Sequence, residues 1–140
     1  MKTIISTFLM SATLFAGAIT AKDPYVRVMP PGASASAGFV VFENSSDKDI
    51  KIIGANTDFA GTTELHTHEI KEGIMQMRKV ESMTVPAKGK LVLKPHGKHL
   101  MFFDLKKNLK PNDKVQIKFK LSNDETLDAT FMARDLKSKH

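Results

Sequence analysis

Apolar and polar residues alternate with a period of two along most of this chain, which is the pattern of half-buried strands rather than helices. Runs of this kind cover residues 25–29, 36–43, 50–55, 62–70, 74–80, 90–93, 98–105, 114–121 and 126–132. Turn-forming clusters separate them: Pro30-Pro31-Gly32, Asn44-Ser45-Ser46-Asp47, Lys71-Glu72-Gly73, Pro95-His96-Gly97, Pro111-Asn112-Asp113 and Ser122-Asn123-Asp124. No stretch carries an amphipathic helical pattern of useful length. Short strands punctuated in this way predict an all-β domain, a sandwich or Greek-key barrel. Length agrees, since 140 residues suit a single core.

The first 21 residues break the alternation. Lys2 is followed by an uncharged, small and apolar run from Ile4 to Ala18, and small residues precede two cleavage points, after Ala18 and after Ala21. This is the layout of a secretory signal peptide, shorter than the ~20 apolar residues that span a bilayer. The expectation is a leader over 1–21 and one exported domain over 22–140, with no stable membrane insertion after cleavage. With no cysteine near the cleavage site, a lipid-modified N-terminus is excluded from that expectation.

Composition then narrows the chemistry. The chain has no cysteine and no tryptophan but eight methionines. An exported domain without disulfides must rely on core packing, and any soft-metal site must use thioether and imidazole. Net charge is +6, much of it on Lys114, Lys118 and Lys120, which alternate with apolar residues as a solvated strand face would. An exported chain with few aromatics and no stacking motif is a poor nucleic-acid binder. It has neither a cysteine nucleophile nor a G-x-S-x-G elbow, so it reads as no enzyme. A blue-copper electron carrier would need a thiolate.

Five histidines and eight methionines are the candidate donors. His66 and His68 share one strand face, as do His99 and Met101. Across the turn, a two-residue loop at Lys71-Glu72 sets His66 opposite Met77 and His68 opposite Met75. A loop at Glu72-Gly73 sets His68 opposite Met77, with His66 diagonal to it. A three-residue loop would put His66 and Met77 on opposite faces. Thioether and imidazole together suit Cu(I), a soft filled-shell ion, and need no thiolate in an oxidising compartment. Zinc seldom takes thioether, and calcium and magnesium want oxygen.

The spacing His66, ten residues, Met77, twenty-one residues, His99-Leu100-Met101 resembles the H-x10-M-x21-H-x-M pattern of the periplasmic PCu(A)C copper chaperones. Pro30-Pro31-Gly32, Gly73-Ile74-Met75-Gln76-Met77-Arg78, Val85-Pro86-Ala87 and Leu93-Lys94-Pro95 are similar to the family's flanks, so the likeness runs from about Tyr25 to Met132. It implies a cupredoxin-like Greek-key sandwich with Cu(I) held by His66, Met77, His99 and Met101. Outside that spacing, His68 stands as a substitute for His66 under a shifted register, as an outer donor or as a residue facing water, and Met75 as an auxiliary ligand or, more simply, as core or rim filler. The likeness also implies a periplasmic carrier that gives copper to a subunit of cytochrome c oxidase or to a Sco-type protein. His96 and Lys98 stand where relatives often carry glycine and tyrosine, which alters the rim of the site. Only Lys137-Ser138-Lys139-His140 stands where some relatives carry a long His/Met tail, so no second Cu(II) site is expected there. The rival readings are a copper-sequestering protein with the same site, and an exported sandwich binding module without a metal.

Overall fold

The computed structural model describes residues 17–135. Most of the expected leader and the C-terminal tail, including His140, lie outside the described residues. Ten strands follow one another: β1 (Ile19–Arg27), β2 (Ala35–Asn44), β3 (Ile50–Thr57), β4 (Ala60–Lys71), β5 (Ile74–Val80), β6 (Met83–Val85), β7 (Lys90–Leu93), β8 (His99–Leu105), β9 (Lys114–Leu121) and β10 (Thr126–Arg134). Each of the nine expected runs is a strand. β6 is additional: only three residues long and stopped by Pro86, it is too short to show a period, yet it pairs antiparallel with β3. β1 starts six residues before the expected Tyr25. Asp23, at φ 52°, and Pro24 interrupt its pairing with β2, and that irregularity hides the strand's first half in the sequence.

The strands form one hydrogen-bonded path in the order β5-β4-β8-β2-β1-β10-β9-β3-β6. β2 is shared: Ala35–Gly38 pair with β8, and Val40–Glu43 pair with β7. The path must fold over itself, because Phe42 of β2 and Phe119 of β9 are three strands apart along it, about 14 Å on a flat sheet. Their rings nevertheless meet edge to face at 5.1 Å. The enclosed core is apolar and rich in phenylalanine: Phe42, Phe59, Phe102, Phe119 and Phe131 are fully buried. β9 shows the expected division, with Val115, Ile117, Phe119 and Leu121 inside and its lysines in water. Among the described residues no helix is long and apolar enough to cross a membrane.

At one edge, β4 and β5 form a hairpin. Its two turn residues, Glu72 (φ 53°) and Gly73 (φ 80°), both adopt the left-handed conformation that two-residue hairpins with the right twist require. Only β4 continues the hairpin inward, through β8. The last strand pair with β8 is His66↔His99, so the far half of the hairpin projects beyond it.

Candidate metal centre

The turn at Glu72-Gly73 selects one of the registers that the sequence leaves open. His68 opposes Met77, Ile70 opposes Met75, and His66 opposes Lys79. On the other side of β4, His66 opposes His99 and Glu64 opposes Met101. Directly opposed residues share a face. All six candidates, His66, His68, Met75, Met77, His99 and Met101, therefore stand on one surface of β5-β4-β8. His66 and His99 form its central row. Met101 lies diagonally beyond one end of that row, and Met77, with His68, lies beyond the other.

Distances in the central row suit a shared ion. A metal bound at about 2.0 Å to a ring nitrogen is about 3.2 Å from the ring centre, so two imidazoles on a tetrahedral ion have centroids about 5.2 Å apart. The His66 and His99 centroids are 5.5 Å apart and those of His68 and His99 are 5.3 Å apart. His66 and His99 are 9% and 5% exposed. Phe39 and Phe103 flank the row, at 6.4 Å from His99 and 6.1 Å from His66 respectively. The Met77 and Met75 side chains are open to solvent, at 50% and 56%.

Hydrogen bonds fix which nitrogens are free. The Nδ1–H of His99 donates to the Gly97 carbonyl at 2.9 Å, leaving the Nε2 lone pair for a ligand. His66 donates from Nε2 to the Glu64 carboxylate at 2.9 Å, and its Nδ1 is buried without a partner. Lys79 holds the other Glu64 oxygen at 3.8 Å, so this carboxylate is itself anchored. Such outer partners orient histidine ligands and raise their basicity. His68 differs: its Nδ1 is buried and unpartnered, and among the described residues nothing clamps its ring.

Burial pushes the His99 imidazole below its ordinary value. The neighbouring His66, His68 and Arg27 charges add to that, against the Gly97 hydrogen bond. A neutral imidazole is the form that binds metal. Among the described residues no three His, Asp or Glu side chains converge on a metal position. The thioethers on the same face are the further soft donors beside these imidazoles. Sequence reasoning passed over Glu64 and Gly97 as orienting groups, although Glu64 stands two residues before His66 on the same strand and so on the same face. His96 lies in the exposed turn before β8, at φ 70°, and is not among the groups that meet here.

Comparisons with known proteins follow the same lines. The LpqE-like family, described as "Putative lipoprotein LpqE-like", matches residues 19–133. A relative from Leifsonia xyli subsp. xyli, "Putative lipoprotein Lxx21020", is 27% identical over 109 residues, which is 77% of this chain. The chain spans 66% of that relative, just under two thirds of its length. DR1885 from Deinococcus radiodurans is 30% identical in its apo solution structure, with 93% of this chain and 87% of that one covered and a TM-score of 0.68. Its Cu(I) form is 32% identical, with 89% and 83% covered and the same TM-score. The copper-bound PCuAC domain of PmoF2 is only 14% identical but superposes with a TM-score of 0.73 over 85% of this chain and 94% of its own. That likeness shows the fold, which is the expected all-β, cupredoxin-like one.

Proposed function

The chain belongs to the LpqE-like family of PCuAC-type domains, and on that premise we propose that it is a Cu(I)-carrying metallochaperone rather than an enzyme. His66, Met77, His99 and Met101 supply its donors. The observation that carries this reading is the His66–His99 pair: two buried rings at 5.5 Å, each held by a hydrogen bond that leaves one nitrogen free. Soft thioethers on the same face, with no group of three His, Asp or Glu donors among the described residues, favour Cu(I) over zinc.

We place the protein in the periplasm, exported through a cleaved leader, with the copper centre of cytochrome c oxidase or a Sco-type protein as acceptor. The exposed Met77 end of the face supports transfer, because an acceptor ligand can reach an ion there before a donor leaves. Anaerobic titration of the mature protein should give one Cu(I) per chain. Competition with a calibrated chelator should show His99→Ala binding about 10- to 100-fold more weakly with its fold intact. Equal affinity of that variant and the parent would reject the site. Loss of bound copper to an apo oxidase subunit or Sco-type protein separates delivery from sequestration.

A further inference from the structure

β9 turns three lysines outward, and the fold adds a fourth. Lys114, Lys118 and Lys120 are exposed and alternate with the buried Val115, Ile117, Phe119 and Leu121. On the neighbouring β3, the Lys51 amide donates to the Ser122 hydroxyl, and the Ser122 amide donates to the Lys51 carbonyl. Ile52 opposes Leu121 with both side chains inside, so Lys51 and the β9 lysines project from one outer surface. Among the strand residues that oppose the β9 lysines, Asp128 is the only acid. Asp124 and Glu125 lie at one end, in the turn, where Glu125 is held by Asn123. Among the described residues none of the four lysines is in an ion pair; the cations that pair are Lys22, Arg78, Lys79 and Arg134, with His66.

The composition of this face selects its partner. Where proteins bind one another lysine is depleted and aromatic residues are enriched. The neutral residues between these lysines are Asn56, Gln116 and Thr130, with no aromatic anchor, and a 2.8 Å hydrogen bond joins Gln116 to Thr130. Fluid anionic headgroups adapt to any spacing of cations, so a lipid surface needs no built pocket. The fold also sets a direction. Phe42 of β2 meets Phe119 of β9 across the core, so the outer faces of these two strands look opposite ways. On β2 the outer face carries Phe39, beside the His99 ring.

We propose that Lys51, Lys114, Lys118 and Lys120 dock the protein reversibly on an anionic lipid surface, with the donor face turned away from the bilayer. The attachment is peripheral: headgroup phosphates meet ammonium groups, and no side chain enters the hydrocarbon. Docking confines the carrier to the plane in which a membrane-bound acceptor is found. Each lysine near an anionic bilayer is worth about fivefold in partitioning, so four against Asp128 give about 100-fold.

Mature apo protein and two kinds of vesicle test this, one of phosphatidylcholine and one of equal parts phosphatidylcholine and phosphatidylglycerol. Sedimentation in about 50 mM salt should show binding to the anionic vesicles at least about tenfold tighter than to the neutral ones. Raising salt to about 0.5 M should abolish it by screening. The triple variant Lys114→Gln, Lys118→Gln, Lys120→Gln should lose about tenfold or more, with its far-UV dichroism unchanged. A second triple variant, Lys71→Gln, Lys90→Gln, Lys94→Gln, removes the same charge elsewhere and should stay within about threefold. Equal losses in the two variants would mean that net charge alone acts, and would overturn the proposal. Retention on polyglutamate beads but not on anionic vesicles overturns it too, since the face would then read an acidic polypeptide. Orientation has its own readout: Cu(I)-loaded protein on anionic vesicles should give copper to a soluble chelator at its free rate, and arrest of that transfer overturns the orientation. The apo measurements stand without the copper reading, so its failure and theirs are distinguishable.

Discussion

His99 shows how one residue's surroundings set both its chemistry and its cost. Burial disfavours its protonated form, so its folded pKa lies below the unfolded value of about 6.5. Above both values the proton makes no difference to folding. As pH falls through about 6.5 towards the folded value, the unfolded chain takes up the proton first, and stability is lost over that window. The apo protein should therefore melt at progressively lower temperature from pH 7 to pH 5, and His99→Gln should flatten that dependence. An unchanged pH slope in the variant would show that another group is responsible. At this scale the sequence was more informative about donors than about what orients them. Residue type marks the histidines and methionines as soft-metal donors, and the resemblance in spacing singles out His66, Met77, His99 and Met101 among them. That Lys79 reaches the Glu64 carboxylate beside His66 follows only from the register that sets Lys79 opposite His66 across β4 and β5.

Strand contacts decide whether β8 can present His99 and Met101 at all. Gly38 of β2 opposes Leu100 of β8. A Cβ there would lie 2.8 Å from Cε2 and 3.1 Å from Cζ of Phe102. That ring cannot swing aside, because it is fully buried and packs on Phe59 at 4.8 Å. Gly38→Ala should cost about 1–3 kcal/mol through overpacking. For a domain of this size, that lowers Tm by about 4–10 °C in a thermal melt. A melt within a degree of the parent would mean that β2 and β8 separate freely. Period-two alternation was enough to locate nine of the ten strands, because each buries one face. It could not settle the hairpin register, since loops at Lys71-Glu72 and at Glu72-Gly73 both keep the apolar face inward. The deciding feature is a glutamate at φ 53°, a conformation that its side chain does not advertise. The switch of β2 from β8 to β7 was equally invisible, because pairing partners leave no mark on a strand's own pattern.

For the molecule as a whole, the proposed leader raises the question of where the mature domain would begin. Small residues would permit cleavage after Ala18 or after Ala21, and the sequence there does not choose. The fold does distinguish them. Ile19, Thr20 and Ala21 pair with Asn44, Glu43 and Phe42 of β2. Ile19 is 2% exposed and belongs to the main core. Cutting after Ala21 would remove that side chain and three rungs of the ladder. Emptying a buried isoleucine site alone costs about 2–5 kcal/mol. A domain without disulfides has total stability on the order of 5–15 kcal/mol from which to lose it. Cleavage after Ala18 keeps Ile19 in place and gives up the partly buried Ala18, which packs on the core and whose carbonyl accepts from the Ser45 amide at 3.0 Å and the Ser45 hydroxyl at 3.3 Å. The exported protein should therefore start at Ile19, as intact mass will show. A version starting at Lys22 should melt about 10 °C or more below it. If the secreted chain starts at Lys22 and melts no lower than one starting at Ile19, the first half of β1 contributes nothing to the fold. The core would then have to close without it.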